Sequence, residues 1–504
     1  MSGDKWKIHK FGGSSLADAA CFRRVGDIVL AMPQERIGVV VSAMGGMTNQ
    51  LLALTDLAAQ SSAFASDLDD IHERYADTAS ELISADTLAS LVDQWQEDAC
   101  EIENILSAMT KVRAAPDKSR DIIAGFGELW SARLLAAYLA EKAGEERAGR
   151  WIDARKVINV RHGDLGPAIL WGESRAAFRN VLEEDFSGIA VITGFIAVDE
   201  AGQQTTLGRN GSDFSAAIFA ALTDADELDI WTDVDGVMSA DPNRVPDAEI
   251  IHSLSYNEAM ELAYFGAKVI HPQTLGPVID NDIAVVIRNS FDPAHPGSRI
   301  SPVAASNGEI KGITAVSGMA LVNVEGAGMI GVPGTADRLF ASLKDAGVSV
   351  TLISQASSEH SICIAVPDEL AERARDVISI AFKDELAGGQ IQNVDITPGQ
   401  SIVAVVGDGM AGHPGVAARF FANLGRSGIN VRAIAQGSSE RNISAVIDSS
   451  DVTRALRAVH SGFYLSAKTL SVGIIGAGVV GGTLLDQLHE QRDRLHDRFN
   501  LDLR

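Results

Sequence analysis

The stretch HKFGGSSL, residues 9–16, decides how the first three hundred residues are read. A strand candidate, WKIHKF (6–11), ends at Lys10 and Phe11, and Gly12-Gly13-Ser14-Ser15 turns the chain into a helix. Glycines let backbone approach a phosphate closely, and a helix N-terminus supplies N–H donors and a partial positive charge. Lys10 can add a full charge where negative charge develops on a transferring phosphoryl group. The lysine precedes the glycines, so this is not a Walker A loop. Taken alone, the same residues also read as an ordinary strand-to-helix turn.

Outward from this turn, residues 5–300 alternate β-rich runs with amphipathic helices. IGVVVSAM, IAVITGFIAV, ELDIWTDV and IAVVIRNS are further strand candidates, several of them apolar throughout, as expected of strands covered on both faces. TNQLLALTDLAAQ and DIIAGFGELWSARLLAAYLAEKAG read as helices, and residues 65–113 as an inserted helical hairpin. The pattern predicts an α/β domain over 1–300 with a mainly parallel sheet. DPAHPGSRISPVAASNGEI, 292–310, reads as a hinge, with the linker placed at 301–313.

A repeat follows. LVNVEGAGMIGVPGTADRLF begins at Leu321 and IVAVVGDGMAGHPGVAARFF at Ile402, 81 residues later. That offset pairs Gly326 with Gly407, Pro333 with Pro414, Gln355 with Gln436 and Glu359 with Glu440. Each copy reads as part of a ferredoxin-like βαββαβ unit, at 314–396 and 397–465. Duplication for structure alone is the plainer alternative to a paired regulatory module. The tail, LSVGIIGAGVVGGTLLDQL (470–488), carries the dinucleotide fingerprint Gly476-x-Gly478-x-x-Gly481. Residues 466–504 read as the first strand and helix of a Rossmann domain, and FNLDLR as the start of its second strand. No dehydrogenase activity is expected of these residues by themselves.

The net charge of −25 argues against nucleic acid or anionic membrane as partners. Three widely spaced cysteines and no Cys/His cluster predict neither disulfides nor a zinc site. No signal core or apolar run of membrane length is present, which suggests a reduced cytoplasmic protein.

Four further stretches carry candidate chemistry. In TTLGRNGSDF, Arg209 is placed to grip a carboxylate, and Asp213 is expected to cap the next helix. In WTDVDGVMSADPNRV, acidic residues follow a buried strand, either as an acidic turn or as a nucleotide pocket with Asp241 near Mg²⁺ or phosphate. Glu128 sits on an otherwise apolar helix, solvated or aimed into a site. His271, near Lys268 in FGAKVIHP, reads more simply as structural.

The ordered set KFGGSS, VSAM-x-x-x-TN, FGE, GRNGSD, WTDVDGV-x-x-x-DP and FGAKVIHP resembles the aspartate kinases of the amino acid kinase family. The repeat is similar to their paired ACT domains. The whole resembles the N-terminal part of the bifunctional aspartokinase–homoserine dehydrogenases, most closely the threonine-sensitive type. The resemblance implies a three-layer αβα sandwich over 1–300, and transfer of the ATP γ-phosphoryl to the aspartate side chain, with Mg²⁺ bridging the phosphates. It implies NADP only for a complete dehydrogenase domain. On matching positions, it gives Lys10 and Asp213 catalytic roles and makes Gly12, Gly13 and Ser14 a phosphate cradle. Ser42, Thr48, Glu128, Arg209 and Ser212 would hold aspartate, with Glu128 and Arg209 both buried. Thr232, Asp233, Asp241, Arg244 and Lys268 would surround ATP. Gln355, Gln436, Asn430 and Ile443 would form threonine sites, and a dimer or tetramer would assemble through the ACT units. Two other readings remain open: a kinase for glutamate, acetylglutamate or a nucleotide, and a non-catalytic amino-acid sensor. A nicotinamide-dependent dehydrogenase is suggested only by GAGVVG.

Overall fold

The computed structural model describes residues 5–504 other than 145–146, 148, 164–165, 266–270, 305–307, 356–359, 465–468, 471, 477, 500–501 and 504. It divides into two compact units. The first takes Met1–Val237, Ile250–Ala263 and Lys268–Ala305, and the second Met238–Glu249, Tyr264–Ala267 and Ser306–Arg504.

In the first unit, Lys7–Phe11 lies inside an eight-stranded sheet, parallel to Arg36–Val41 on one side and to Glu227–Thr232 on the other. Gly188–Thr193 and Gly149–Ile152 continue the first side, and Ala284–Asn289 continues the second. The five strand candidates read from the sequence are all strands here. They are buried because helices cover both faces. Gly211–Leu222 packs with Trp171–Val181 and Pro272–Ile279, while Asp117–Ala143 packs with Ala19–Leu30 and Met47–Ala59. The chain builds outward on one side of Lys7–Phe11 and later returns to the other. Such a reversal opens a crevice at the carboxyl ends of the strands.

Ser298–Ser301 is a strand antiparallel to Ala284–Asn289, so part of the stretch read as a hinge belongs to the sheet. Gly297 makes the return possible: its φ is +76°, and a Cβ there would lie 2.0 Å from the Ile287 carbonyl oxygen. Beneath the strand ends, Asp229 is 1% exposed. It sits 3.1 Å from the Lys7 ammonium and 3.3 Å from the Arg288 guanidinium.

The expected hairpin is Ala65–Ser80 and Ala85–Val112. Trp95 packs 5.7 Å from Trp130, whose indole N–H donates to Asp98 at 2.9 Å. Asp117–Ala143 is the helix among the described residues that is long and apolar enough to cross a bilayer, and 83% of its apolar window is buried inside the protein.

The second unit is a six-stranded antiparallel sheet with helices packed against it, symmetric at the 81-residue offset. Gly312–Glu325 matches Asn393–Val406 strand for strand. Each long strand bends at a glycine with positive φ, Gly318 at +74° and Gly399 at +68°. The bend divides its pairing. Residues 319–325 pair with Ser361–Pro367, whereas 312–316 pair with 402–406 of the second repeat. Ile310 and Ile313 accordingly pack into the second repeat's core with Phe420 and Val459. The second repeat is thus completed by residues that precede the first, and cuts at 314 or 397 pass through strands. The segment Met238–Glu249 also joins this core through Ala240 and Val245.

In the tail, Thr469–Leu470 pairs in parallel with Asp502–Leu503 around the helix Val479–Phe499. Gly476 has φ +98°, and a Cβ on Gly481 would lie 2.1 Å from the Gly476 carbonyl oxygen. The turn leads into the helix as read, but the strand is only Thr469–Leu470, and residues 472–474 of the β-branched run are not strand.

Candidate active site

A pocket of about 400 Å³ opens at the carboxyl ends of the parallel strands of the first unit. Lys10, next to last in its strand, is 9% exposed, and its ammonium lies 2.6 Å from Asp213 Oδ1. Asp213 does not cap its helix. Gly211–Leu222 begins two residues before it, Asn210 (φ +55°) is the N-cap, and Asp213 falls in the first turn. Its carboxylate is therefore free of capping and faces Lys10, while the helix dipole favours its charge.

Glu128 reaches the same pocket from the middle of Asp117–Ala143. Gly127 beside it permits the close approach, because a Cβ there would lie 2.8 Å from the Ala43 Cβ. Glu128 is 4% exposed and its Oε2 has no hydrogen-bond partner. Burial pushes its pKa up to about 8, against the opposing pull of the Ala43 N–H and the Lys10 charge. A buried carboxyl with one oxygen left unpartnered beside a polar pocket is poised to meet a cation.

Gly13, Ser42, Thr48, Arg209 and Ser212 also line the pocket. Arg209 is exposed, contrary to the expected burial, because the loop before Gly211 carries it outward. One charged end of the pocket is therefore dry and the other wet. Sequence reasoning missed Asn49 and Phe195 in the lining. Phe195 holds φ +72°, unusual for a non-glycine residue, with its N–H donating to Ser215 Oγ at 2.9 Å. Nothing in the sequence around Phe195 announces that backbone.

Gly12, Ser14, Thr232 and Asp233 do not line this pocket but stand at neighbouring strand ends. The Gly12 N–H donates to the Trp231 carbonyl at 3.4 Å, and Ser14 is exposed on the turn. The Thr232 carbonyl accepts from the Ser290 N–H at 2.8 Å, and the Ser290 and Ser15 hydroxyls are 2.9 Å apart. These bonds lace three adjacent strand ends together. Asp241 and Arg244 belong to the second unit, where they pair at 3.5 Å and Asp241 also accepts from the Asn243 N–H. Lys268 lies outside the described residues. His271 has its pKa lowered by burial and then by Arg209, which places it within reach of the pocket's charges. Among the described residues, no group of three or more His, Cys, Asp or Glu could hold a metal.

The second unit has two matched hollows. Gln355 lines one with Met329 and Thr335, and Gln436 lines the other with Met410 and Val416. Gln355 pairs in register with Ile362, and Gln436 with Ile443. Ile443 lines the second hollow, whereas Asn430 is exposed and lines neither.

A doubly covered parallel sheet with a pocket at its strand ends is the arrangement in which open α/β folds bind small molecules. The profile of the amino acid kinase family matches residues 5–289, and that of the ACT domain matches 322–382 and 403–463. This chain belongs to the amino acid kinase family. Within it, the chain is 43% identical to bifunctional aspartokinase/homoserine dehydrogenase 1 of Arabidopsis thaliana, a match covering all of this chain and 56% of that protein. It is 30% identical to aspartokinase 2 of the same plant, over 91% of this chain and 84% of that one. The chain spans about half the length of the bifunctional relatives it matches. Among solved structures, E. coli aspartokinase III in complex with aspartate and ADP (R-state) aligns with a TM-score of 0.75 at 27% identity, covering 91% of this chain and 100% of that one. The same enzyme with lysine and aspartate (T-state) aligns at 0.70 and 27%, covering 91% and 99%.

Proposed function

We propose that this chain transfers the γ-phosphoryl group of ATP to the side-chain carboxylate of L-aspartate, giving ADP and 4-phospho-L-aspartate. The observation that carries this reading is the convergence on one pocket of Lys10, Asp213 and the buried Glu128, one oxygen of which is unpartnered. The acceptor is already a carboxylate at neutral pH, so no general base is required. Catalysis is then positioning and charge neutralisation. Lys10 moves from Asp213 to the transferring group, and Asp213 holds it in line until then. Glu128 takes the α-ammonium of aspartate and Arg209 its α-carboxylate, with Ser42, Thr48 and Ser212 around the side chain. Gly12, Gly13, Ser14, Thr232 and Asp233 form the nucleotide side. Asp241, Arg244 and Lys268 join it on the strength of resemblance alone.

Magnesium fits this donor set as an ion carried mainly by the nucleotide phosphates, because Mg²⁺ keeps its waters and needs only one or two carboxylates. Asp213 is the pocket carboxylate within reach of it, and the ion would neutralise phosphate charge. The hollows at Gln355 and Gln436 are read as sites for an amino-acid effector, threonine, acting by favouring a conformation with lower substrate affinity. Assembly of two or four copies through the ACT units, in the cytoplasm, completes the reading.

Release of ADP from Mg·ATP by the 504-residue chain tests the proposal. Turnover that requires aspartate and falls with millimolar threonine is expected. Turnover with glutamate, acetylglutamate or a nucleotide in place of aspartate would assign a different acceptor. Binding of amino acids by folded protein without any turnover would make the chain a sensor.

A further inference from the structure

The inserted hairpin sends one side chain to the pocket wall. Arg74, on Ala65–Ser80, donates from Nη2 to the Gly45 carbonyl at 2.7 Å and to the Ala17 carbonyl at 3.1 Å. Its Nη1 donates to Gln50 Oε1 at 3.1 Å. Asp70, Glu73 and Asp77 line the hollow around it, yet Arg74 forms no ion pair with any described residue. Its guanidinium is spent on neutral acceptors.

Those acceptors meet at a crowded point. Ala17 closes the Gly13–Leu16 turn, and Gly45 and Gly46 line the pocket. A Cβ on Gly45 would lie 3.1 Å from the Gly13 carbonyl oxygen, and one on Gly13 would lie 3.1 Å from that of Ala43. The phosphate turn and the loop after Val41 therefore touch backbone to backbone, and Arg74 holds both. A trans peptide is planar, with its C=O and N–H opposed. Fixing the Gly45 carbonyl on Arg74 turns the Gly46 N–H away from it. Among the described residues, that N–H makes no backbone hydrogen bond.

We infer that Arg74 is a positioning residue for phosphoryl transfer: it locks the Gly13 turn against the Gly45–Gly46 peptide and aims the Gly46 N–H into the pocket as a donor for the acceptor carboxylate or the transferring phosphoryl group. This rests on the kinase reading above. It gives the hairpin a role in the site, where sequence reading gave it none.

Arg74→Lys keeps the charge but is shorter and lacks the planar group that sets Nη2 between the Gly45 and Ala17 carbonyls while Nη1 holds Gln50. Its expected signature is a Tm near wild type with kcat/KM for aspartate lowered about 100-fold, the scale of a misplaced catalytic group. Arg74→Ala should lose as much and recover in part with tens of millimolar guanidinium chloride, though not with sodium chloride. Glu81→Gln, which loosens the hairpin's contact with Arg23 at a residue that shares Arg74's hollow but does not line the pocket, should leave the kinetics unchanged. A folded Arg74→Lys with wild-type kinetics would overturn the inference. So would an Arg74→Ala that guanidinium leaves unrescued while Glu81→Gln loses activity equally, since the hairpin would then matter only for stability. If the wild type shows no aspartate-dependent turnover, the kinase reading has failed. Calorimetric affinity for Mg·ADP then reads the lock directly: weakened binding in Arg74→Lys upholds it, and equal binding refutes it.

Discussion

The pocket of the first unit and the two hollows of the second are built from the same local parts. Each sits where a glycine turn leads from a strand into a helix: Gly46 (φ +82°) before Met47–Ala59, Gly334 (+90°) before Thr335–Asp345, and Gly415 (+97°) before Val416–Arg426. They differ in what is buried beside the turn. The first pocket holds Lys10, Asp213 and Glu128. Among the described residues, the hollow at Gln355 is lined without a charged side chain, while the one at Gln436 adds His413 and Glu440. Charge that is desolvated and incompletely partnered marks a place where bonds change, because a low-dielectric site strengthens each such group at a cost in stability. A neutral hollow with one amide can discriminate among small ligands at little such cost.

The sharpest way to break this contrast is Lys10→Ala. It should lower kcat at least about 1,000-fold, on the scale of losing a key transition-state donor, with aspartate binding by calorimetry largely retained. A modest loss would mean that the Lys10–Asp213 pair is structural.

Glu128→Gln comes next. It should reduce kcat/KM for aspartate by about 100-fold, the range for one buried charged contact. Its pH dependence separates binding from stability. In free wild type, Glu128 is protonated below about pH 8. Its ionised form is the partner of an ammonium, so KM for aspartate should fall as pH rises from 6.5 to 8.5. Stability runs the other way. Between pH 4.5 and 8, the unfolded chain releases this proton and the folded chain keeps it, so the contribution of Glu128 to folding declines as pH rises through that window. Glutamine titrates nowhere in that range. Thermal melts at pH 5 and 8 should show Glu128→Gln gaining on wild type at the higher pH. Parallel melting curves would remove the case for a strained carboxyl.

Gln355→Ala should leave kcat without effector unchanged and raise the threonine half-inhibition concentration about tenfold, the worth of one neutral hydrogen bond. Unchanged inhibition would move the effector elsewhere. The smallest effect is expected at Gly318→Ala, where φ is +74° and a Cβ meets nothing within 4 Å. There the cost is conformational alone, about 1–2 kcal/mol, read as a lowered Tm of the repeat unit with kinase activity intact.

Much of this was legible because it is local. The glycine turn after Lys10, the apolar strands and the 81-residue repeat each announce themselves within a few residues. Lys10, Glu128 and Arg209 stood out because charged residues beside glycines or inside apolar helices violate the surrounding pattern, whereas Asp213 read as a helix cap and took its catalytic role from the resemblance. Phe195 and Arg74 gave no such signal. One is a phenylalanine in an apolar stretch, and the other is one charge among many on a solvated helix. Their importance lies in a backbone angle and in carbonyls 29 and 57 residues away.

The sequence by itself determined the element types, the turns that need glycine and the duplication, since backbone preference and hydrophobic period are properties of short segments. Tertiary structure alone decided which charges meet. It set Asp213 against Lys10 rather than at a helix cap, buried Glu128 while leaving Arg209 wet, and assigned residues 312–316 to the second repeat's sheet. Each of these outcomes depends on desolvation and pairing between segments far apart in the chain, and those energies exist only once the sheet and its helices have closed around them.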